Sequence, residues 1–147
     1  ATCARPEIEW LARRPHAEAV EIIGRAEFLV VPSGCYENFP KTIIEAYAKG
    51  TPVIAARRGA MAELVADGRT GLLFEPDRAD DLAAKVRRLA ADREARARMR
   101  CAARAEFEAN YTGQRNYELL IGIYRQACGG RLDGAPAALS TRGKANG

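Results

Sequence analysis

The chain predicts an α/β fold: a Rossmann-like parallel sheet flanked by helices. Three observations carry this. The apolar run at residues 28–31 has the length and composition of a strand buried on both faces, and those at 52–56 and 70–74 are short enough to be strands. Segments with apolar residues at helical spacing separate them, so strand and helix alternate. The intervening chain is short, which implies parallel neighbours joined by right-handed crossovers.

Residues 1–6 carry no pattern. Ile8-Glu9-Trp10-Leu11 alternates and predicts a strand, followed by a polar loop to Pro15. Ala19, Ile22, Ile23 and Ala26 fall at i, i+3, i+4, i+7 and predict an amphipathic helix over 16–26. The strand at 28–31 ends at Pro32-Ser33-Gly34. Pro40 then suits the first helical position through its fixed φ. Ile43, Ile44, Tyr47 and Ala48 form the apolar face of that helix, and Gly50 is its C-cap. After the second strand, Met61, Leu64 and Val65 predict a short helix over 59–66, in which Glu63 caps or pairs locally. Asp67-Gly68 is a turn. Thr70-Gly71 predicts a tight turn at the start of the third strand.

Asp77 is the expected N-cap of the next helix, with Asp80 and Asp81 favouring its positive end and Leu82, Val86 and Leu89 as its buried stripe. Asp92 is a second N-cap, opening a helix over 93–109 rich in Ala, Arg and Glu. Tyr117, Leu120, Ile121 and Tyr124 mark a last helix over 114–127. From Cys128 the apolar content falls, so residues 128–147 are expected to form a disordered tail, with the domain itself over 1–127.

At 147 residues, 48% of them apolar, the chain is one domain's worth of globular protein. The net charge of +4, with the excess mostly Arg in 87–104, suits a phosphate-bearing ligand or an anionic membrane surface. It is too small to argue nucleic acid, and the Arg-rich segment lacks interleaved aromatics. The four cysteines, at 3, 35, 101 and 128, have no C-x-x-C spacing, and there is a single histidine. That pattern excludes a metal framework and fits a reducing cytosol. No apolar run is long enough for a membrane helix, and the start has no signal-peptide pattern.

The chemistry is expected in the loop between the first two buried strands. Ligands of open parallel sheets bind beyond the carboxyl ends of the strands. The helix starting near Pro40 offers free amides and a positive dipole end, an anion site suited to phosphate. Glu37 precedes it and Glu45 lies further along it.

Glu37-Asn-Phe-Pro-Lys-Thr-Ile-Ile-Glu45 resembles the E-x7-E motif of retaining GT-B glycosyltransferases. Ala26-Glu-Phe-Leu-Val-Val-Pro-Ser, Gly50-Thr-Pro-Val-Ile-Ala, Gly59, Glu63 and Val65-Ala-Asp-Gly-Arg-Thr-Gly-Leu-Leu-Phe agree in order and spacing. The likeness covers roughly residues 7–127 and implies the C-terminal, donor-binding domain of such an enzyme, incomplete at its N-terminus. It implies a nucleotide diphosphate sugar as donor, retaining hexosyl transfer to an acceptor hydroxyl, no cofactor and no metal. It also implies an acceptor domain supplied in cis or in trans, and a cytoplasmic location, with peripheral contact at an anionic inner membrane face as a secondary reading.

By the same resemblance Glu37 is the catalytic candidate: it would orient the donor sugar and support charge developing at the anomeric carbon. Glu45 would accept hydrogen bonds from the ribose hydroxyls. Asn38, Phe39, Pro40 and Lys41 would meet sugar and diphosphate, and Thr42 could add a hydroxyl to a phosphate. Asn38 stands where many relatives carry Gly, and Asn tolerates left-handed backbone. Ala60 and Ala62 depart from the family pattern around Glu63. Plainer readings exist for each site residue. Glu37 could be a solvated carboxylate at a helix start, and Lys41-Glu45-Lys49 an i, i+4 charge ladder. His16 reads as a cap or surface residue, and the arginines of 87–104 as a solvated face. A binding module or truncated fragment inactive without the acceptor domain is the main alternative to a transferase, and a nucleotide-sugar epimerase ranks below both.

Overall fold

The computed structural model describes residues 7–32 and 38–128. The chain divides into two compact units, one ending at Tyr111 and the other beginning at Thr112. The first holds α1 (His16–Arg25), β1 (Leu29–Val31), α2 (Lys41–Ala48), β2 (Val53–Ala56), α3 (Gly59–Leu64), β3 (Gly71–Phe74), α4 (Ala79–Ala91) and α5 (Arg93–Asn110). Its three strands form one parallel sheet in the order β1-β2-β3. The sheet register aligns Val30 with Ile54, and Ile54 with Leu72.

Every residue of β2 and β3 is buried, whereas Leu29, Val30 and Val31 of β1, expected to be buried on both faces, are only partly buried. Ile43 and Tyr47 of α2, Met61 of α3, Leu89 of α4, and Met99 and Ala103 of α5 close the core around them. The predicted strand at 8–11 does not form. Ile8 and Trp10 are 59% and 82% exposed, so the alternating pattern finds no apolar surface to cover it among the described residues.

Local chemistry sets the element ends. Gly50 takes φ +66, and the amides of Gly50 and Thr51 reach the carbonyls of Tyr47 and Ala46 at 2.9 and 2.8 Å, closing α2 as a Schellman motif. Asp92 caps α5 by accepting from the Ala95 amide at 2.8 Å. Asp77 does not cap α4 as expected. It sits at φ +62, Arg78 holds the N-cap position, and the Asp77 carboxylate pairs with Arg58 at 3.0 Å. Glu63 is exposed and pairs with no cation among the described residues. At Gly71 the requirement is close packing: a Cβ there would stand 1.9 Å from the Val53 carbonyl oxygen. The turn itself occupies 68–70, just before the strand.

The arginines of α5 do not form a plain solvated face. Arg96 donates to the Leu89 and Ala90 carbonyls that end α4. Arg100 reaches Ala26 and Gly24 at the end of α1, at 3.0 and 3.4 Å. Arg104 reaches the Ala48 carbonyl that ends α2. One row of guanidiniums therefore satisfies the open carbonyl ends of three helices. Arg87, Arg88, Arg93 and Arg98 remain exposed.

In the second unit, Thr112 caps α6 (Gly113–Ala127) by accepting from the Arg115 amide at 3.2 Å. Tyr117, Leu120 and Tyr124 of its apolar stripe stay exposed. Of the expected tail at 128–147, all but Cys128 lies outside the described residues. No described helix is long and apolar enough to cross a membrane.

Candidate functional site

Right-handed crossovers run the helices against the strands, so α1, α2 and α3 begin at the carboxyl edge of the sheet, where β1, β2 and β3 end. Pro40 is buried and occupies the N-cap of α2 rather than the first helical position, at φ −73. Its carbonyl accepts from the Ile43 amide at 3.0 Å. Among the described residues no side chain caps this helix, and no acid lies in its first turn, so its amide-bearing end is open to an anion. Asn38, Phe39, Lys41 and Thr42 are all exposed around it. No carboxylate among the described residues pairs with Lys41. Glu37 lies outside the described residues, as do Cys35 and Tyr36 of the same loop.

Glu45 lies in the second turn of α2 with its side chain 29% exposed. The charge ladder along α2 is not made. Lys49 turns to Glu21 of α1, and Glu45 has no lysine partner. The His16 imidazole approaches it, with Nδ1 3.8 Å from Oε1. His16 caps nothing, since Pro15 holds the N-cap of α1. Sequence reasoning missed this neighbour because the pairing depends on how α1 packs on α2, and no local pattern encodes that.

Behind the site α2 is pinned by a buried polar group. Tyr47 donates its hydroxyl to the Leu64 carbonyl at 3.1 Å and meets Thr70 Oγ1 at 2.7 Å. Thr70 in turn accepts from the Ala66 amide at 3.0 Å. Burial pushes the Tyr47 phenol up to about 12. These bonds fix α2 against the segment that leads into β3, which holds its open end at the sheet edge. Among the described residues no three His, Cys, Asp or Glu side chains gather as metal ligands.

A parallel sheet flanked by helices, with a helix start at its carboxyl edge, places the chain among Rossmann-like α/β domains. The chain belongs to the glycosyl transferases group 1 family, which matches it over residues 3–106. It is 40% identical over 103 residues to a D-inositol 3-phosphate glycosyltransferase of Nocardiopsis dassonvillei, covering 70% of this chain and 23% of that protein. Against a glycogen synthase of Mycobacterium tuberculosis it is 32% identical, covering 82% and 29%. Among solved structures it resembles the sucrose-phosphate synthase of Thermosynechococcus elongatus, with TM-score 0.75 and 30% identity over 82% of this chain and 30% of that one. It also resembles Anabaena HepE in complex with UDP-glucose, with TM-score 0.65 and 25% identity over 71% and 29%. The chain thus spans between a fifth and a third of the length of these relatives, and its fold is that of a partial GT-B domain.

Proposed function

We propose that this chain is the donor-binding part of a retaining GT-B glycosyltransferase, which takes a nucleotide diphosphate sugar and passes the hexosyl group to an acceptor hydroxyl. The observation that carries the proposal is the start of α2, which no described side chain caps, one turn ahead of a carboxylate that pairs with no described lysine. The amides at that start, with Lys41 and Thr42, hold the diphosphate without a metal. Glu45 accepts from the ribose hydroxyls, which needs an ionised acceptor with free lone pairs. Asn38, Phe39 and Glu37 face the sugar, and the negative charge of Glu37 supports oxocarbenium character at the anomeric carbon. The UDP-glucose complex of HepE supports a donor of this class.

The acceptor domain is supplied in cis or in trans. A cytoplasmic location goes with this reading, and the exposed Arg87, Arg88, Arg93 and Arg98 are available for peripheral contact with an anionic membrane.

Calorimetric titration with UDP, GDP and ADP tests the proposal. At least one should bind, and Glu45→Ala should weaken it about 10- to 100-fold, the value of a hydrogen bond to a charged acceptor. No binding of any nucleotide, or equal binding by the variant, overturns the assignment. Donor turnover by this chain alone would exclude the alternative of a binding module that lacks catalysis, since an unpositioned acceptor forfeits proximity effects.

A further inference from the structure

His16 is the one histidine in the chain, and α1 presents it to the candidate ribose-binding acid. The imidazole itself is 76% exposed, and its position is set by the rest of α1. Thr51 Oγ1 donates to the Ile23 carbonyl at 2.9 Å, Lys49 pairs with Glu21, and Arg100 holds the Gly24 and Ala26 carbonyls. These ties fix the far half of α1 against α2 and β2, so its first residue arrives beside Glu45.

Most of the other described charged groups on α1, α2 and α5 are engaged elsewhere, and Lys41, one turn ahead of Glu45, is not. On α2, Lys41 makes no ion pair among the described residues and Lys49 is taken by Glu21. On α1, Glu18 is held by Arg14 at 3.2 Å. On α5, Arg104 is held by Glu108 at 2.7 Å and by the Ala48 carbonyl at the opposite end of α2.

We propose that His16 is a positioning residue for the donor nucleotide: protonated, it holds Oε1 of Glu45 and leaves Oε2 to accept the ribose hydroxyls. This rests on the donor-binding reading above. At 3.8 Å the contact is an ion pair rather than a hydrogen bond, so it acts only when the imidazole is charged. Histidine is the side chain whose charge changes across the neutral range. A held carboxylate loses less rotamer freedom on binding, and the added positive charge lies near the anion-binding helix start. Donor affinity therefore rises as pH falls.

UDP-glucose is the probe, because its doubly esterified diphosphate keeps one charge state over this range. Calorimetry on the full chain should show binding about two- to five-fold tighter near pH 6 than near pH 8, the range an exposed ion pair supplies. His16→Gln should bind equally at both, and His16→Lys should bind at the tighter value at both. Affinity that does not vary with pH in the parent chain, or a pH dependence that His16→Gln retains, overturns the role of His16 while leaving donor binding intact. If UDP-, GDP- and ADP-glucose all fail to bind at either pH, the donor reading itself falls, and this inference with it.

Discussion

Replacing Gly71 with Ala should damage the sheet more than any other single methyl added to a glycine. The added Cβ would stand 1.9 Å from the Val53 oxygen, 2.9 Å from its carbonyl carbon and 3.0 Å from its nitrogen. All three are backbone atoms of β2, which lies between β1 and β3, so no side chain can rotate away. Relief requires the two strands to separate by about 1 Å. The bond from the Val53 amide to the Thr70 carbonyl, already 3.4 Å, would then be lost. Overpacking of this kind costs about 1–3 kcal/mol. The orphaned buried amide adds about 1–3 kcal/mol. The sum, about 2–6 kcal/mol, is a large part of the roughly 5–15 kcal/mol that holds a domain together. At this length about 1 kcal/mol corresponds to about 4 °C, so the melting temperature should fall by about 8 °C or more. Thermal unfolding followed by circular dichroism measures it, with two controls. Gly68→Ala meets nothing within 4 Å but must hold φ +79, which costs about 1–2 kcal/mol. Gly113→Ala meets open space and should be near neutral. A Gly71→Ala protein that melts within about 2 °C of the parent, or above Gly68→Ala, would refute the reasoning.

Tyr47→Phe removes the hydroxyl shared by Leu64 and Thr70 and should cost about 1–2 kcal/mol in urea unfolding. Because folding raises the phenol to about 12, the parent keeps this contribution below about pH 10 and loses it as pH climbs through about 12, a loss that Tyr47→Phe should lack. Arg100→Met strips two carbonyls of their charged donor and should cost about 1.5–3 kcal/mol. Arg98→Ala, whose side chain is 70% exposed and reaches only Glu94, should stay within about 0.5 kcal/mol of the parent. Asp92→Ala should lower stability by about 1 kcal/mol through loss of the α5 cap, and equal melting of the two proteins would contradict that role.

The features legible in the sequence were those whose physics is local or one-dimensional. Val53 to Ala56 and Gly71 to Phe74 are apolar without interruption, and a strand buried on both faces is the short element that such a run can form between helices. Gly50 and Asp92 act through neighbours within a few residues, so their capping roles could be read directly. The misreadings share a cause: the deciding partner is remote in sequence. The alternation at Ile8 and Trp10 looked like a strand, but a strand also needs a neighbour and a surface. Asp77 looked like a cap, but the chain leaving β3 turns through a left-handed residue first and Arg58 claims the carboxylate. In the site, the helix start at Pro40 was legible from its proline and the gap before it. The neighbour of Glu45 was not, because Lys49 and His16 are each assigned by the docking of α1.

The row of arginines on α5 also bears on the order in which the chain can mature. Arg100 finds its acceptors 74 and 76 positions upstream, and Arg104 finds its own 56 positions upstream. Until that helix arrives, the terminal carbonyls of α1 and α2 have no guanidinium to bind, and the buried Met99 and Ala103 are absent from the interior. Long closures of this kind slow assembly. The elements from α1 to α4 therefore consolidate only once this later segment is in place. A truncation that stops short of it should leave a loosened, aggregation-prone species even though every strand is already present.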